Sequence, residues 1–195
     1  WHLEAGESFQ APEVLLAFSA NGLNEMSQNY HELLREHIVR GKFKHKEREI
    51  LVNNWEATYF DFTEEKLVEI AEKAKECGVE LFVLDDGWFG KRCSDHAGLG
   101  DWIANTERLP NGITGLADRI EDLGMKFGLW VELEMVNKDS DLYRAHPDWI
   151  LATPGRNQSH GRFQHVLDFS RKEVVDHIYE MIAKILSEAK VSYIK

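Results

Sequence analysis

Residues 79–90 read VELFVLDDGWFG, an apolar run that ends in two adjacent aspartates. The nearly continuous apolar segment Val79–Leu84 predicts a strand buried on both faces, as in parallel sheets that are covered by helices. Asp85 and Asp86 then stand at the carboxyl end of this strand, where parallel α/β proteins bind their ligands. Two adjacent carboxylates repel each other unless several donors satisfy them, so the stretch indicates a site as well as a fold.

Strand and helix patterns alternate along the chain on both sides of this stretch. Thr63 is expected to cap one helix, and Ser170 is expected to cap another. The predicted helices span about residues 63–78, 113–123 and 171–189, with a short one within 136–146. The predicted strands are Glu49–Asn53, Val79–Leu84, Lys126–Val131, Phe163–Leu167 and, as the start of a fifth, Val191–Ile194.

This alternation predicts an α/β fold with parallel strand pairing. Two architectures fit it: an open doubly wound sheet and the N-terminal half of a (β/α)8 TIM barrel. A doubly wound nucleotide-binding sheet is usually marked by a glycine-rich loop after its first strand, whereas Asn53–Glu56 here reads NNWE. Chemically reactive residues after several successive strands favour the half barrel, whose site is built from strand ends.

Residues 1–45 do not follow this alternation and are interpreted as a connector from a preceding domain, with residues 46–195 as the half barrel. Val14–Ser19 is a strand-like run, and Glu25–Val39 is predicted to be a helix. The chain begins at Trp1 and ends directly after an apolar run, so we expect it to be a piece of a longer polypeptide. A signal peptide could then lie upstream of Trp1.

The composition of the 195 residues excludes some classes of partner. The formal net charge is −11, from 23 Lys and Arg against 34 Asp and Glu. Such a surface repels nucleic acid and anionic membranes but not a neutral ligand. Two cysteines are too few for a disulfide framework; Cys77 is expected to be buried and Cys93 to be exposed.

Residues suited to a sugar gather at the predicted strand ends. Indole faces stack on the C–H faces of a pyranose, while carboxylates and cations exchange hydrogen bonds with its hydroxyls. Three tryptophans at successive strand ends, beside carboxylates, would then form a platform for the ring. The candidates are Trp55, Asp85, Asp86, Trp88, Trp130, Glu132, Glu134, Arg162 and Lys195.

Each candidate also has a plainer interpretation. One aspartate of the pair could cap a turn while the other is a solvated loop residue, and aspartate pairs also bind magnesium in some phosphatases. The tryptophans could be core residues. Glu132 and Glu134 alternate around Leu133, so in an extended segment both side chains would face the same way. Their role could be structural or catalytic. Arg162 could simply neutralise an acid.

Several long motifs resemble glycoside hydrolase family 36 α-galactosidases, in the right order over essentially the whole chain. They are Ile50–Phe62 (ILVNNWEATYFDF), Leu84–Gly90 (LDDGWFG), Gly98–Trp102 (GLGDW), Trp130–Asn137 (WVELEMVN), His146–Trp149 (HPDW), Val166–Ser170 (VLDFS) and the terminal Tyr193–Lys195. The sequence departs from the family pattern at Leu133, where a proline is usual. It also has Cys93-Ser94-Asp95 where relatives often carry further acidic residues, so only Asp95 fits that pattern.

The resemblance implies a (β/α)8 barrel preceded by a β-sandwich domain. It also implies retaining hydrolysis of terminal α-1,6-linked galactose, as in melibiose and raffinose, with no cofactor or metal. Full-length relatives are often homotetramers, and a bacterial cytoplasmic location is expected. The implied substrate-binding residues are Asp85 and Asp86 on galactose hydroxyls, Trp55 and Trp130 as walls, and Arg162 and Lys195 as further contacts.

The resemblance places no catalytic residue within the chain. Lys195 would open the family's Lys-Trp-Asp motif, whose aspartate is the nucleophile, and the acid/base would lie farther on. Retaining hydrolysis needs both carboxyl groups, so the chain alone is expected to be inactive. Two alternatives are a transglycosylating relative similar to raffinose synthase and a non-catalytic half barrel that binds sugar or serves in assembly.

Overall fold

The computed structural model describes residues 2–158 and 160–195. The chain separates into two compact units, Trp1–Arg48 and Glu49–Lys195. The division falls three residues after the expected end of the connector at residue 45. The role of the first unit as a connector stays a prediction.

The first unit contains one regular helix, α1 (Leu23–Leu33), among its described residues. It continues into a π-helical turn at Leu34–Ile38, and a 3-10 turn follows at Gly41–Phe43. Val14–Ser19 forms no strand, so the strand-like interpretation was wrong. An isolated extended run gains no hydrogen bonds without a partner strand, and here the Leu15 carbonyl instead accepts from the Tyr30 hydroxyl at 3.0 Å.

The second unit is built on a four-stranded parallel sheet. Its strands are β1 (Leu51–Asn53), β2 (Leu81–Leu84), β3 (Lys126–Leu129) and β6 (Val191–Ile194), in the order β1-β2-β3-β6. All three pairings are parallel, with Val52 opposite Phe82 and Phe82 opposite Phe127. The predicted α/β class with a parallel sheet is confirmed.

Strands β4 (Met135–Asn137) and β5 (Gln164–Val166) form a separate antiparallel pair. The prediction that Phe163–Leu167 is the fourth parallel strand was therefore wrong, since Val191–Ile194 occupies that place beside β3. A parallel strand is reached through a crossover, usually a helix that packs on the sheet. The segment between β4 and β5 contains only a five-residue helix, α5 (Asp141–Ala145), and a 3-10 turn, and β5 returns to β4.

The remaining helices lie in the segments that connect the strands. They are α2 (Trp55–Thr58), α3 (Glu64–Glu76), α4 (Gly112–Asp122) and α6 (Lys172–Glu188), with a 3-10 turn at Pro147–Trp149. The prediction for Thr63 is confirmed, because its side chain accepts a hydrogen bond from the Lys66 amide at 3.3 Å. Ser170 is not the cap of α6: its hydroxyl donates to Asp168 at 2.6 Å, and Arg171 takes the cap position.

The core lies between the sheet and the helices that cover it. All four residues of β2 are buried, as the apolar run predicts. Leu67 and Ala71 of α3 and Leu116 and Ile120 of α4 are fully buried in the same cluster. Cys77 ends α3 on the surface and is exposed, contrary to the expected buried thiol, while Cys93 is exposed as expected. This packing presents the carboxyl ends of the strands as one polar edge.

Candidate functional site

Asp85 follows β2 directly and joins the ends of three strands. Its Oδ2 atom accepts a hydrogen bond from the side-chain Nδ2 of Asn53 at the end of β1, at 2.6 Å. The same oxygen accepts from the ammonium of Lys195, directly after β6, at 2.6 Å. The carboxyl ends of parallel strands point to one edge of the sheet, which explains how residues 110 positions apart meet.

Asp85 also makes hydrogen bonds with the backbone of Asp86 and the side chain of Asn54. Its Oδ1 atom accepts from the Asp86 amide at 2.8 Å, and its own amide donates to the Asn54 side chain at 2.8 Å. Asn54 is fully buried, and Asp85 is only 4% exposed. The carboxylate is therefore held by three donors in a fixed orientation, as a buried charge requires.

Asp86 has a different partner, the guanidinium of Arg92. The Arg92 Nε atom donates to Oδ1 at 2.9 Å and Nη2 donates to Oδ2 at 2.8 Å, which is a bidentate pair. Asp86 is 3% exposed and Arg92 is fully buried. Both aspartates are thus buried, so the interpretation of one as a solvated loop residue was wrong. Each carboxylate has its own cation, which offsets the repulsion expected between neighbours.

Trp55 and Trp130 are half-buried at the same edge. Trp55 begins α2, where its amide donates to the Asn53 side chain at 2.9 Å, and its ring meets Phe60 edge-on at 5.0 Å. Trp130 follows β3 and lies nearly parallel to Phe89, at 6.2 Å between ring centroids and 16° between planes. Partly exposed indoles held by other aromatic rings are suited to stacking on a ligand.

Trp88 is a core residue and does not form part of an exposed platform. It is fully buried, and its indole Nε1 donates to the Trp130 carbonyl at 2.9 Å. Its ring lies beside those of Phe89 and Trp102. For this tryptophan the plainer interpretation was correct, and its effect on the site is to fix the backbone of Trp130.

Glu132 and Glu134 do not lie in an extended segment. The Met135 amide donates to the Glu132 carbonyl at 3.3 Å, which closes a turn. Glu132 is half-buried and accepts from Gln164 at 2.9 Å, whereas Glu134 is exposed. Burial raises the pKa of Glu132, the charge of Glu134 adds to this, and the hydrogen bond from Gln164 opposes it. Because of this turn, Glu132 contacts Gln164 whereas Glu134 is exposed to solvent.

Arg162 lies on the rim of this edge, in the loop before β5. Its Nη2 atom donates to Asp95 Oδ1 at 3.1 Å, and its side chain is exposed. Arg162 and Phe163 both have positive φ angles, 50° and 64°. Left-handed backbone is unfavourable for side chains other than glycine and recurs at functional sites. The structure joins Arg162 to Asp95, not directly to the aspartate pair.

Three polar residues of this arrangement were missed as site residues from the sequence: Asn53, Arg92 and Asn137. Arg92 stands six residues after Asp86 in the run LDDGWFGKR, and Asn53 is the polar last residue of β1. An arginine close in sequence to a buried acid indicates an ion pair between the two, so the sequence did carry a signal for Arg92. Asn137 is 45 residues from Arg92, with which it is hydrogen-bonded, and no local pattern indicates that contact.

Among residues 2–158 and 160–195, no group of three or more His, Cys, Asp or Glu side chains is arranged to hold a metal ion. The helices within those described ranges include none long and apolar enough to cross a membrane. The site is thus made of two carboxylates with their cations, backed by amides and bordered by indoles.

The chain is a parallel α/β unit whose strand ends carry buried carboxylates, cations and half-buried indoles. Proteins of this class bind polar ligands at that edge of the sheet. The match to a known family is specific. Residues 8–195 match the Melibiase family. The chain belongs to this family, and the resemblance to glycoside hydrolase family 36 is confirmed.

Curated relatives match over the whole chain. It is 58% identical to Alpha-galactosidase AgaA of Geobacillus stearothermophilus over 195 residues, 100% of this chain and 27% of that protein. It is 52% identical to Alpha-galactosidase Mel36A of Lactobacillus acidophilus, with the same coverage of 100% and 27%. The chain thus spans about a quarter of the length of the relatives it matches.

Solved structures show the same fold. A variant of AgaA from Geobacillus stearothermophilus in complex with stachyose superposes with a TM-score of 0.93 at 57% identity, over 98% of this chain and 27% of that one. The α-galactosidase TtGalA of Thermus thermophilus, in complex with p-nitrophenyl α-D-galactopyranoside, has a TM-score of 0.64 at 30% identity, over 76% of this chain and 30% of that one.

Proposed function

We propose that the complete protein containing this chain is a retaining α-galactosidase that removes terminal α-1,6-linked galactose from oligosaccharides of the melibiose and raffinose type. The chain would supply the part of the site that holds the galactose ring. The names of the curated relatives favour hydrolysis over the transglycosylating and non-catalytic alternatives. The observation that carries the proposal is the contact of Asp85 with Asn53 and Lys195, which gathers three strand ends around one carboxylate.

The proposed architecture is the N-terminal half of a (β/α)8 barrel. The order β1-β2-β3-β6 follows the chain without a reversal. A doubly wound sheet reverses its strand order at the point where it binds ligand, whereas barrel strands follow one another around the axis. The unreversed order supports the barrel. A preceding β-sandwich, a homotetramer and a bacterial cytoplasmic location stay predictions from the family resemblance.

A neutral ligand suits the aspartate pair, because each of the two carboxylates already has its own cation. Asp85 is paired with Lys195 at 2.6 Å and Asp86 with Arg92 at 2.8 Å. An ionised carboxylate has about four lone-pair positions. Asp86 uses only part of this capacity on Arg92, and the rest would accept galactose hydroxyls. Charged hydrogen bonds of this kind are stronger than neutral ones.

Trp55, Trp130 and Arg162 have proposed roles around the ring. The two half-buried indoles would wall the galactose by stacking on its C–H faces. Arg162, exposed on the rim and held by Asp95, would contact the sugar from outside the aspartate pair. Lys195 would contribute both its contact with Asp85 and a direct hydrogen bond to a hydroxyl.

The aspartate pair is proposed to bind and not to cut. Retaining hydrolysis places a nucleophile and an acid/base about 5–5.5 Å apart on either side of the glycosidic bond. Asp85 and Asp86 are adjacent in sequence, and each carboxylate is already paired with a cation that holds it in place. The resemblance assigns the nucleophile to an aspartate two positions after Lys195.

The test is hydrolysis of p-nitrophenyl α-galactoside by the complete protein, with melibiose and raffinose as natural substrates. The β-galactoside and α-glucoside of p-nitrophenol serve as controls for linkage and for sugar. We expect release of galactose from the α-galactosides only, with α-galactose as the first product seen by NMR. Absence of α-galactoside hydrolysis by the folded protein would refute the proposal.

A further inference from the structure

Arg92 is a fully buried cation in the loop after β2, and it faces a carboxylate that the proposed function assigns to galactose. Its Nε and Nη2 atoms donate to the two oxygens of Asp86 at 2.9 and 2.8 Å. A planar guanidinium fixes the plane and the rotation of a carboxylate that it binds through two bonds, which a lysine cannot do. The orientation of Asp86 therefore depends on the orientation of Arg92.

Asn137, at the end of β4, in turn fixes Arg92. Its Oδ1 atom accepts from Arg92 Nη1 at 3.0 Å and from the Leu99 amide at 3.0 Å. Its Nδ2 atom donates to the carbonyls of Asp95 at 3.1 Å and Phe163 at 3.0 Å. A side-chain amide has two donors and two acceptor positions, and this buried amide uses all four. It ties the loop after β2 and the loop before β5 to the guanidinium.

The backbone packs tightly around the same arginine. A Cβ atom built on Gly98 would lie 2.8 Å from the Arg92 amide nitrogen, and Gly98 has a φ of +83°. Both the space and the left-handed conformation therefore require glycine here. Arg92 Nη1 also donates to the Ala97 carbonyl at 3.2 Å, so the loop closes over the guanidinium.

Asp95 connects Arg92 with Arg162 on the rim of the site. The Asp95 Oδ1 atom lies 3.8 Å from Arg92 Nη2 and 3.1 Å from Arg162 Nη2. One carboxylate is thus placed between the buried arginine and the exposed one. Movement of Arg92 would change the position of Arg162 as well as that of Asp86.

We propose that Arg92, held by Asn137, is a positioning residue that orients the Asp86 carboxylate toward the galactose hydroxyls. The inference rests on the proposed function, because Asp86 is a sugar contact only if that function is correct. Arg92 donates to one side of Asp86 and leaves the remaining lone pairs in fixed directions. Its role is to orient a binding group and not to touch the sugar.

The test is a double-mutant cycle in the complete protein, with Arg92→Met, Asp86→Asn and the pair combined, measured on p-nitrophenyl α-galactoside. A misplacement of about 1 Å in a site can cost about 100-fold in rate, and we expect a fall in kcat/KM of that order for Arg92→Met. If Arg92 acts through Asp86, the same change in the Asp86→Asn background has an effect at least about tenfold smaller. Galactose inhibition should weaken in parallel.

A matched control separates this role from a purely structural one. Arg119 pairs with Glu64, whose side chain is fully buried, at 2.8 Å on the helical side of the unit. Arg119→Met also removes the cation from a buried carboxylate, but away from the strand ends. We expect it to lower the melting temperature and to leave kcat and KM unchanged. Arg92→Lys, which keeps the charge but not the bidentate geometry, should show part of the loss.

Each outcome decides the proposal. Folded Arg92→Met with unchanged kinetic constants, or losses that multiply in the double mutant, would overturn it while the proposed function stands. If both Arg92→Met and Arg92→Lys fail to fold, Arg92 serves the stability of the fold and the proposal is wrong. A wild-type protein without α-galactoside turnover would refute the proposed function itself, and the positioning role with it.

Discussion

The ammonium of Lys195 lies 2.6 Å from Oδ2 of Asp85, which joins the ends of β6 and β2 although the two residues are 110 positions apart. Asp85 is buried. The contact therefore joins a buried acceptor to a cation at the end of another strand of the sheet. An ammonium has three donors, so Lys195 can donate to a sugar hydroxyl as well as to Asp85.

Replacement of Lys195 by methionine tests this contact. A hydrogen bond to a charged group contributes about 1.5–3 kcal/mol, and the lower end of that range is about tenfold in a rate constant. We expect kcat/KM of the complete protein for p-nitrophenyl α-galactoside to fall about tenfold. Lys190→Met is the control, because Lys190 pairs with Glu121 on the surface. An equal loss in both variants would contradict a specific role for Lys195.

Trp55→Ala tests the proposed aromatic wall. Aromatic contacts of this size contribute about 0.5–1.5 kcal/mol, so KM should rise roughly fivefold while kcat changes less. Trp55→Phe should recover part of the loss because a smaller ring still stacks. The control is Trp149→Phe, since Trp149 is buried against His146 and lies outside the proposed site. A KM that is unchanged in Trp55→Ala would remove this tryptophan from the wall.

The parts of this molecule that local signals determine were predictable from sequence. The apolar run ending in Asp85 and Asp86 predicts a buried strand with a polar end, and Thr63 predicts the start of α3. The placement of Lys195 at the end of a strand was also expected. The structure adds that it reaches Asp85 across the sheet.

The parts that depend on distant pairing were not predictable. The segment around β5 has an apolar run typical of a parallel strand, but it pairs antiparallel with β4, residues 135–137 with 164–166. A pattern of single residues does not reveal which strand is the partner. The link from Asp86 through Arg92 to Asn137 depends on the same return of the chain, because β4 brings Asn137 beside the loop.

The pair of Arg119 and Glu64 predicts a pH dependence of stability. Burial acts to raise the pKa of Glu64, yet hydrogen bonds from Arg119 and Asn111 outweigh it and hold the pKa below its usual value. A lowered carboxyl pKa stabilises the fold above the unfolded pKa, and that stability is lost as the pH falls through the folded pKa. Removal of one partner of a buried pair costs about 3–5 kcal/mol.

Arg119→Met should therefore destabilise the protein at neutral pH by about 2 kcal/mol, because the arginine is 40% exposed and solvent screens part of the interaction. The difference from wild type should shrink as the pH falls below the ordinary carboxyl pKa of 4.5. Thermal unfolding of both proteins between pH 3 and pH 8, roughly the range in which carboxyl groups ionise, measures it. A difference that grows with acidity would contradict the assignment.

The 195-residue chain expressed alone should not hydrolyse α-galactosides. The reason is chemical: the aspartate pair is committed to Lys195 and Arg92, and the proposed nucleophile and acid/base are not among its residues. Purified chain and complete protein are compared at equal concentration on p-nitrophenyl α-galactoside. Turnover by the purified chain would direct attention to Glu132, whose pKa is raised by burial and by Glu134.

The most direct test of the central claim is a crystal structure of the complete protein with galactose bound. The account predicts galactose at the carboxyl ends of the parallel strands, with hydroxyl oxygens within hydrogen-bonding distance, about 2.5–3.2 Å, of the carboxylates of both Asp85 and Asp86. The bidentate contact between Asp86 and Arg92 should be retained. Galactose bound elsewhere, or an empty strand-end site at saturating galactose, would contradict the account.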